Sequence, residues 1–287
     1  MTRIRLYIAR VLYHALHLTS GSDKKRIRRR GIHYDVDLTE GIDLALFLFG
    51  SFQSHIINSP VLALPKQAII FDIGANIGSM ALVFAQLACE GWVYAFEPTH
   101  YAFKKLRQNI TLNPLLAERI TAIQSFVSDQ SGPAHDLRAY SSWKVNGSAS
   151  QKHPLHGGMI KNTDGVPAVT LDDFCAAKRI SRVDLIKIDT DGHELQVLEG
   201  ARETLARHTP RLVFEMGLYA LNEHNTGFEQ YFDYLKSFGY VLINSKNGKM
   251  IAPANYWRQI PLKSTTDIIA VPSHARTENR QTKQRRG

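Results

Sequence analysis

The stretch from Ala68 to Gly78, AIIFDIGANIG, constrains this chain more than any other part of it. An unbroken apolar run that closes on an acid reads as a strand buried on both faces of a parallel sheet. The loop after it carries Gly74 and Gly78 and opens onto a helix. Backbone can therefore approach a ligand closely there, with helix N–H groups directed at it. A second apolar strand, WVYAFEP, ends in Glu97, 19 residues after Gly78. An acid about 20 residues beyond such glycines is where a Rossmann-type half-domain meets a ribose hydroxyl pair. Together the two strands point to a nucleoside-containing cofactor.

The glycine spacing separates cofactor classes. A dinucleotide fingerprint needs G-x-G-x-x-G, whereas Ala75, Asn76 and Ile77 stand between Gly74 and Gly78. This D-x-G-x-x-x-G pattern counts against an NAD-type oxidoreductase. Asp72 at the mouth of the loop repels a diphosphate and suits a cation. S-adenosylmethionine carries a sulfonium, an ammonium and a ribose, and no phosphate. It is the cofactor this spacing favours, with Asp72 and Glu97 as first contacts.

Charge is distributed unevenly. The whole chain carries a formal +9, but residues 1–31 hold nine Lys/Arg against one acid and residues 274–287 five against one, which leaves about −3 for residues 32–273. The basic balance therefore belongs to the ends. Aromatic residues are not interleaved with those basic ends, which argues against a specific nucleic-acid partner. An RNA methyltransferase is further disfavoured because the fourth strand ends in DTDG and not in an N-P-P-Y-like motif. Cys89 and Cys175 stand alone, with no disulfide or zinc spacing, as in a reducing, cytoplasmic setting. No apolar run approaches the ~18–20 residues that span a bilayer. Ile4, Ile8, Val11, Leu12 and Ala15 share one helical stripe. That stripe docks on its own domain or, with the Lys24–Arg30 cluster, rests peripherally on the inner membrane face.

With 44% hydrophobic residues, the chain can bury a full core. Residues 1–62 read as an N-terminal extension of helix and hairpin, with a strand at 29–38, a turn at 39–41 and a helix at 42–58. Residues 63–273 read as the cofactor-binding domain. Strands are expected at 68–73, 92–96, 119–127, 183–189, 211–216, 240–244 and 267–271. Helices are expected at 77–89, 99–112, 194–208 and 227–238. The result is an α/β doubly wound sheet of about seven strands with helices on both faces. Residues 130–165, rich in Ser, Gly, His and Asn, suggest a lid or substrate loop. The tail 274–287 reads as basic and disordered.

Ligands of such a sheet sit beyond the carboxyl ends of its strands. Those ends carry Asp72, Glu97, Ser128–Asp129, Asp189 and Glu215. In DLIKIDTDGHE (184–194), Lys187 and Asp189 share a strand face. Asp191 and Glu194 suit a helix start, as cap and first-turn acid. His193 is a base that works near neutral pH. Asp189 or His193 is therefore the candidate proton acceptor, with Lys187 and Glu215 orienting. Asp189 and Glu215 on neighbouring strands can together hold Mg²⁺, but a base-and-orienter role is favoured over a metal.

The combination of FDIGANIG (71–78), YAFEP (94–98), VTLDDF (169–174) and LIKIDTDGHELQVLEGA (185–201) resembles the FkbM-type methyltransferases. The resemblance covers about residues 65–245 and implies a class I, S-adenosylmethionine-dependent fold acting on hydroxyl groups of sugars, glycolipids or polyketide-type natural products. It places Asp72, Gly74, Ala75, Asn76 and Gly78 on the methionine and ribose side of the donor. It also places Glu97 at the ribose hydroxyls, Pro98 against the adenine, and Ser128 and Asp129 at the adenine edge. Asn146–Gly147–Ser148 would close over the site. A non-catalytic module that binds the donor without turnover is the alternative from another class.

Overall fold

The computed structural model describes residues 13, 22–134, 137–139, 161–190, 192–223, 226–262 and 264–273. The N-terminal stripe, Asp191, the Asn146–Gly147–Ser148 segment and the tail lie outside the described residues.

A hairpin of β1 (Lys24–Arg29) and β2 (Ile32–Asp37) leads to α1 (Gly41–Phe49) and α2 (Ser54–Ile57). Then come β3 (Ile69–Ile73), α3 (Ser79–Leu87), β4 (Trp92–Phe96), α4 (His100–Thr111), α5 (Pro114–Ala117) and β5 (Ile120–Ile123). A small satellite sheet uses β6 (Phe126–Val127), β7 (Gly132–Pro133) and β8 (Pro167–Val169). The chain continues through α6 (Leu171–Lys178), β9 (Leu185–Ile188), α7 (Glu194–Glu199), α8 (Arg202–His208), β10 (Arg211–Gly217) and α9 (Leu218–Glu223). It closes with α10 (Phe228–Ser237), β11 (Tyr240–Asn244), β12 (Met250–Ile251), α11 (Tyr256–Gln259) and β13 (Thr265–Pro272).

Eight strands form the main sheet in the order β12-β11-β13-β10-β9-β3-β4-β5. The run from β5 to β10 is parallel, and β13 runs antiparallel between β10 and β11. The expected seven strands are thus extended by the two-residue edge β12. From β3 the chain winds outward to β4 and β5, then returns to build β9 and β10 on the other side. The topological switch point lies between β3 and β9, and a ligand crevice opens there.

The strands are apolar on both faces because each face is covered. Ile70, Val93, Leu185 and Val213 pack toward α3 and α4, while Phe71, Phe96, Ile186 and Phe214 pack toward α6 to α8 and α10. On that second side Phe71, Phe96 and Phe174 meet edge to face, with centroids 4.9–6.1 Å apart. The hairpin belongs to the first side: Ile32, Tyr34, Val36 and Leu38 are buried in one cluster with Ile70, Phe84 and Leu106. Asn109, fully buried on α4, ties it in place. Its Oδ1 accepts the Asp35 N–H at 2.8 Å and its Nδ2 donates to the Ile77 carbonyl at 2.8 Å.

Several elements depart from their expected bounds for local reasons. The strand expected at 29–38 is the second arm of a hairpin whose turn, Arg30–Gly31, has φ of 49° and 85°. Two positive φ values are the type I′ pattern that suits strand twist. The helix expected at 42–58 breaks where Gly50 (φ 69°) and Gln53 (φ 49°) turn left-handed. The strand expected at 119–127 divides after Ile123, and its second part joins the satellite sheet. The helix expected at 194–208 divides at Gly200. Among the described residues, no helix is long and apolar enough to cross a membrane.

Candidate functional site

A cleft lies over the switch point, where ligands of doubly wound sheets bind. The donor loop forms its floor. Gly74 and Ala75 N–H both donate to the Phe96 carbonyl, at 3.0 and 2.9 Å, and the Asp189 N–H donates to the Ile73 carbonyl at 3.0 Å. A Cβ on Gly74 would run into the Asp189 carbonyl oxygen, and its φ is 74°, so glycine is required there. Asn76 is also left-handed, at φ 50°.

One wall carries Glu97, 4% exposed at the end of β4. Its Oε2 accepts the Asn76 N–H at 3.0 Å, and its Oε1 accepts the Thr99 N–H and hydroxyl at 2.9 and 2.6 Å. Burial pushes the carboxyl above its ordinary range, and these bonds oppose the shift. Beside it Pro98, Phe96, Phe126 and Val127 make an apolar slot.

The cleft is also lined by Asp189, Thr190 and His193. Lys187 Nζ lies 3.2 Å from Asp72 Oδ1, 3.4 Å from Asp189 Oδ2 and 3.4 Å from the Gly74 carbonyl. Burial alone would lower the Lys187 pKa, but the two carboxylates outweigh it and hold the ammonium charged. Asp72 is wholly buried behind it; burial raises that carboxyl and Lys187 opposes the rise. The turn beyond Asp189 is organised by buried Glu194, whose Oε1 accepts Thr190 N–H, Thr190 hydroxyl and Gly192 N–H at 3.0–3.2 Å. His193 is the N-cap of α7, and its Nδ1 lies 2.8 Å from Gln196 Oε1. With Gln196 Oε1 as the acceptor, Nδ1 is the ring nitrogen that donates in this contact.

Of the residues expected at a donor and acceptor site, Gly74, Ala75, Asn76, Glu97, Pro98, Lys187, Asp189 and His193 line this one cleft. Five do not. Asp72 lies under Lys187. Gly78 is the N-cap of α3, where a Cβ would come within 2.7 Å of Leu106. Ser128 is buried and donates to Asp129 at 2.9 Å, while Ser125 to Val127, just before them, reach the cleft instead. Glu215 sits in a separate small pocket with Glu194, Tyr219 and Thr265, and accepts the Thr265 hydroxyl. Asp189 and Glu215 are thus engaged separately. Among the described residues, no three His, Cys, Asp or Glu side chains cluster as a metal site.

The donor set fits S-adenosylmethionine. A buried carboxylate suits ribose hydroxyls, the apolar slot suits a purine, and the lining at Asp189 tolerates a cation because Lys187 is neutralised by two acids.

The FkbM methyltransferase domain model matches residues 72–242. The chain belongs to that family. The match runs from Asp72, near the end of β3, into β11, and the doubly wound sheet is of the class I methyltransferase type. Among curated relatives, 2-O-methyltransferase NoeI of Sinorhizobium fredii is 31% identical over 182 residues, 60% of this chain and 73% of its own length. Hexuronic acid methyltransferase AglP of Haloferax volcanii is 27% identical over 138 residues, 48% of this chain and 51% of its own. The 31-O-demethyl-FK506 methyltransferase FkbM of Streptomyces tacrolimicus is 31% identical over 159 residues, 47% of this chain and 60% of its own. The chain therefore spans about half to three fifths of the latter two. Residues 22–71, which supply Ile42 and Phe52 to the cleft, lie outside the family domain.

Sequence reasoning missed three residues around Asp189. Gln53 Nε2 donates to Asp189 Oδ2 at 3.2 Å and to Asp267 Oδ1 at 3.4 Å, and His55 Nε2 lies 2.6 Å from Asp267 Oδ2.

Proposed function

We propose that this FkbM-family enzyme transfers the methyl group of S-adenosylmethionine to a hydroxyl of a sugar or related natural-product acceptor, with Asp189 accepting the hydroxyl proton. The observation that supports this reading is that Glu97, the candidate ribose acid, and Asp189, the candidate acceptor-side acid, line one cleft at the switch point. The names of the relatives, a 2-O-methyltransferase and a hexuronic acid methyltransferase among them, support the hydroxyl and sugar assignment.

When bound, S-adenosylmethionine supplies an electrophilic methyl on a positively charged sulfur. The chain's own task is alignment and proton acceptance. Holding the hydroxyl oxygen in line can contribute several kcal/mol, up to ~7–11 in ideal cases. A sugar hydroxyl is a weak nucleophile, so a carboxylate that accepts its hydrogen bond, and then its proton, contributes roughly 10²–10⁴-fold. Lys187 fixes the Asp189 carboxylate from below. Phe52, Ile42 and residues 137–139 wall the acceptor side and exclude water.

The test pairs donor binding with turnover. S-adenosylhomocysteine should bind the wild type at one site. Glu97→Gln should weaken that binding roughly 10- to 100-fold, the worth of a hydrogen bond to a charged group. Asp189→Asn should leave binding within twofold but reduce methylation of a sugar panel by at least about 10²-fold. Full activity of Asp189→Asn would overturn the assignment, and loss on His193→Asn instead would transfer the role to His193 Nε2.

A further inference from the structure

We infer that Gln53, supplied by the N-terminal extension, is a positioning residue of the transfer site: its side-chain amide clamps Asp189 to Asp267 and holds the Asp189 carboxylate toward the acceptor. The inference rests on the reading of Asp189 given above.

The geometry is specific. The two hydrogens of Gln53 Nε2 are shared between Asp189 Oδ2 and Asp267 Oδ1, carboxylates on β9's end and on β13. With the amide reversed, its oxygen would face both acids, so electrostatics fixes the orientation. That choice leaves Gln53 Oε1 buried without a hydrogen-bond partner. An orphaned buried acceptor costs about 1–3 kcal/mol. The backbone is also unfavourable: Gln53 sits at φ 49°, ψ 37°, a left-handed conformation that a non-glycine residue adopts at a cost of about 1 kcal/mol. At the N-cap of α2, its side chain makes no capping bond. Two local costs and a forgone cap are thus accepted at one residue whose side chain does one visible thing. It bridges partners 136 and 214 positions away.

The neighbouring groups explain why such a bridge is useful. Asp189 faces Lys187 on its own strand and Gln53 across the sheet face, and Asp72 lies beyond Lys187. Asp267 faces His55, whose Nε2 donates to Oδ2 at 2.6 Å, and lies opposite Glu215 in the β10–β13 register. Glu194 lies close enough to Asp189 to feel its charge. Four acids on adjacent strand ends repel one another unless donors stand between them. Lys187 and His55 serve the two ends of the row, and Gln53 is the neutral donor at its middle. The preceding residue, Phe52, lines the cleft, so one turn of the extension both walls the acceptor space and orients the acid within it.

The test uses the full chain with Gln53→Met, which keeps the stem and removes the donor, and with Gln53→Glu, which keeps the length and adds a charge. For both variants the S-adenosylhomocysteine Kd should stay within about twofold, which also shows that the fold is intact. For Gln53→Met, kcat should fall about ten- to hundredfold, the scale of a misplaced reacting group. The acidic limb of its pH–kcat profile should move to higher pH, because the charged carboxylate has lost a donor. Gln53→Glu should fall at least as far and shift the limb further. A folded Gln53→Met enzyme with wild-type kcat and pH profile would overturn the inference. So would a loss of donor affinity parallel to the loss of kcat, which would make Gln53 structural. Asp189→Asn separates the two layers. If it is inactive while Gln53→Met is unchanged, the positioning role alone fails; if it is active, the proton-acceptor reading fails first.

Discussion

Asp43, at the start of α1, shows how a buried acid in the extension shapes the behaviour of the molecule. It is fully buried, accepts the Asp37 N–H at 2.5 Å and pairs with Lys105 of α4. Burial pushes its pKa up to about 6 from 3.8, and Lys105 opposes the rise without cancelling it. A folded-state pKa above the unfolded one means that the folded protein holds a proton the unfolded chain has released. Stability at this residue is therefore greatest below about pH 4, declines as pH rises to about 6, and is flat beyond. Two pKa units correspond to about 3 kcal/mol. Asp43→Asn should remove that share of the slope. Asp72, Glu97 and Glu194 shift in the same direction, so the quantity to measure is the difference between variant and wild type in urea unfolding at pH 4, 5, 6 and 7. Parallel stability curves would sink the assignment.

At the scale of elements, the junction of α7 and α8 is locked by backbone contact. A Cβ on Gly200 would run into the Ser128 carbonyl at the end of β6. The Gly200 carbonyl accepts the Asp172 N–H at 3.0 Å, and Asp172 caps α8 by accepting Glu203 N–H, Thr204 N–H and Thr204 hydroxyl at 2.7–2.8 Å. Gly200→Ala must push one of three elements aside. It should lower stability by about 2–3 kcal/mol, read as a drop in Tm; a change under about 0.5 kcal/mol would show that the junction yields freely. The same junction marks the reach of the sequence. Helical periodicity runs through 194–208 and a lone Gly200 within it only weakens a helix, whereas the contact with Ser128 that accompanies the break is invisible locally. Strand ends were legible because an apolar run closing on an acid is a local pattern, and Glu97 and Asp189 were found that way. Charge in KKRIRR hid β1, where Ile27 alone is buried. Gln53, His55 and Asp267 escaped for a like reason: they matter through distant partners, and a lone Gln before a four-residue helix has no signature. Ser128 and Asp129 looked like a strand end, but the chain leaves the main sheet after Ile123, so the cleft meets Ser125 to Val127 instead.

Across the whole molecule, the extension is better understood as part of the core than as an appendage. Ile32, Tyr34, Val36, Leu38, Leu44, Leu46 and Ile56 are buried in one cluster with Ile70 of β3 and with Met80, Phe84, Val93 and Leu106 of the family domain. Asn113 adds polar stitching, accepting His33 N–H and donating to the His33 carbonyl, both at 2.8 Å. Burying a large apolar side chain contributes about 1.5–3 kcal/mol. Seven of them together represent roughly 10–20 kcal/mol, as much as the entire net stability of a typical domain, about 5–15 kcal/mol. Residues 63–273 expressed alone would expose the facing surface of α3 and α4 and leave Asn109 and Asn113 without their hairpin partners. We therefore expect that fragment to aggregate, or to melt without a cooperative transition, and not to bind S-adenosylhomocysteine. A soluble fragment with a single sharp melt and wild-type donor affinity would show instead that the domain folds independently. The extension would then serve only the acceptor wall and the Gln53 clamp.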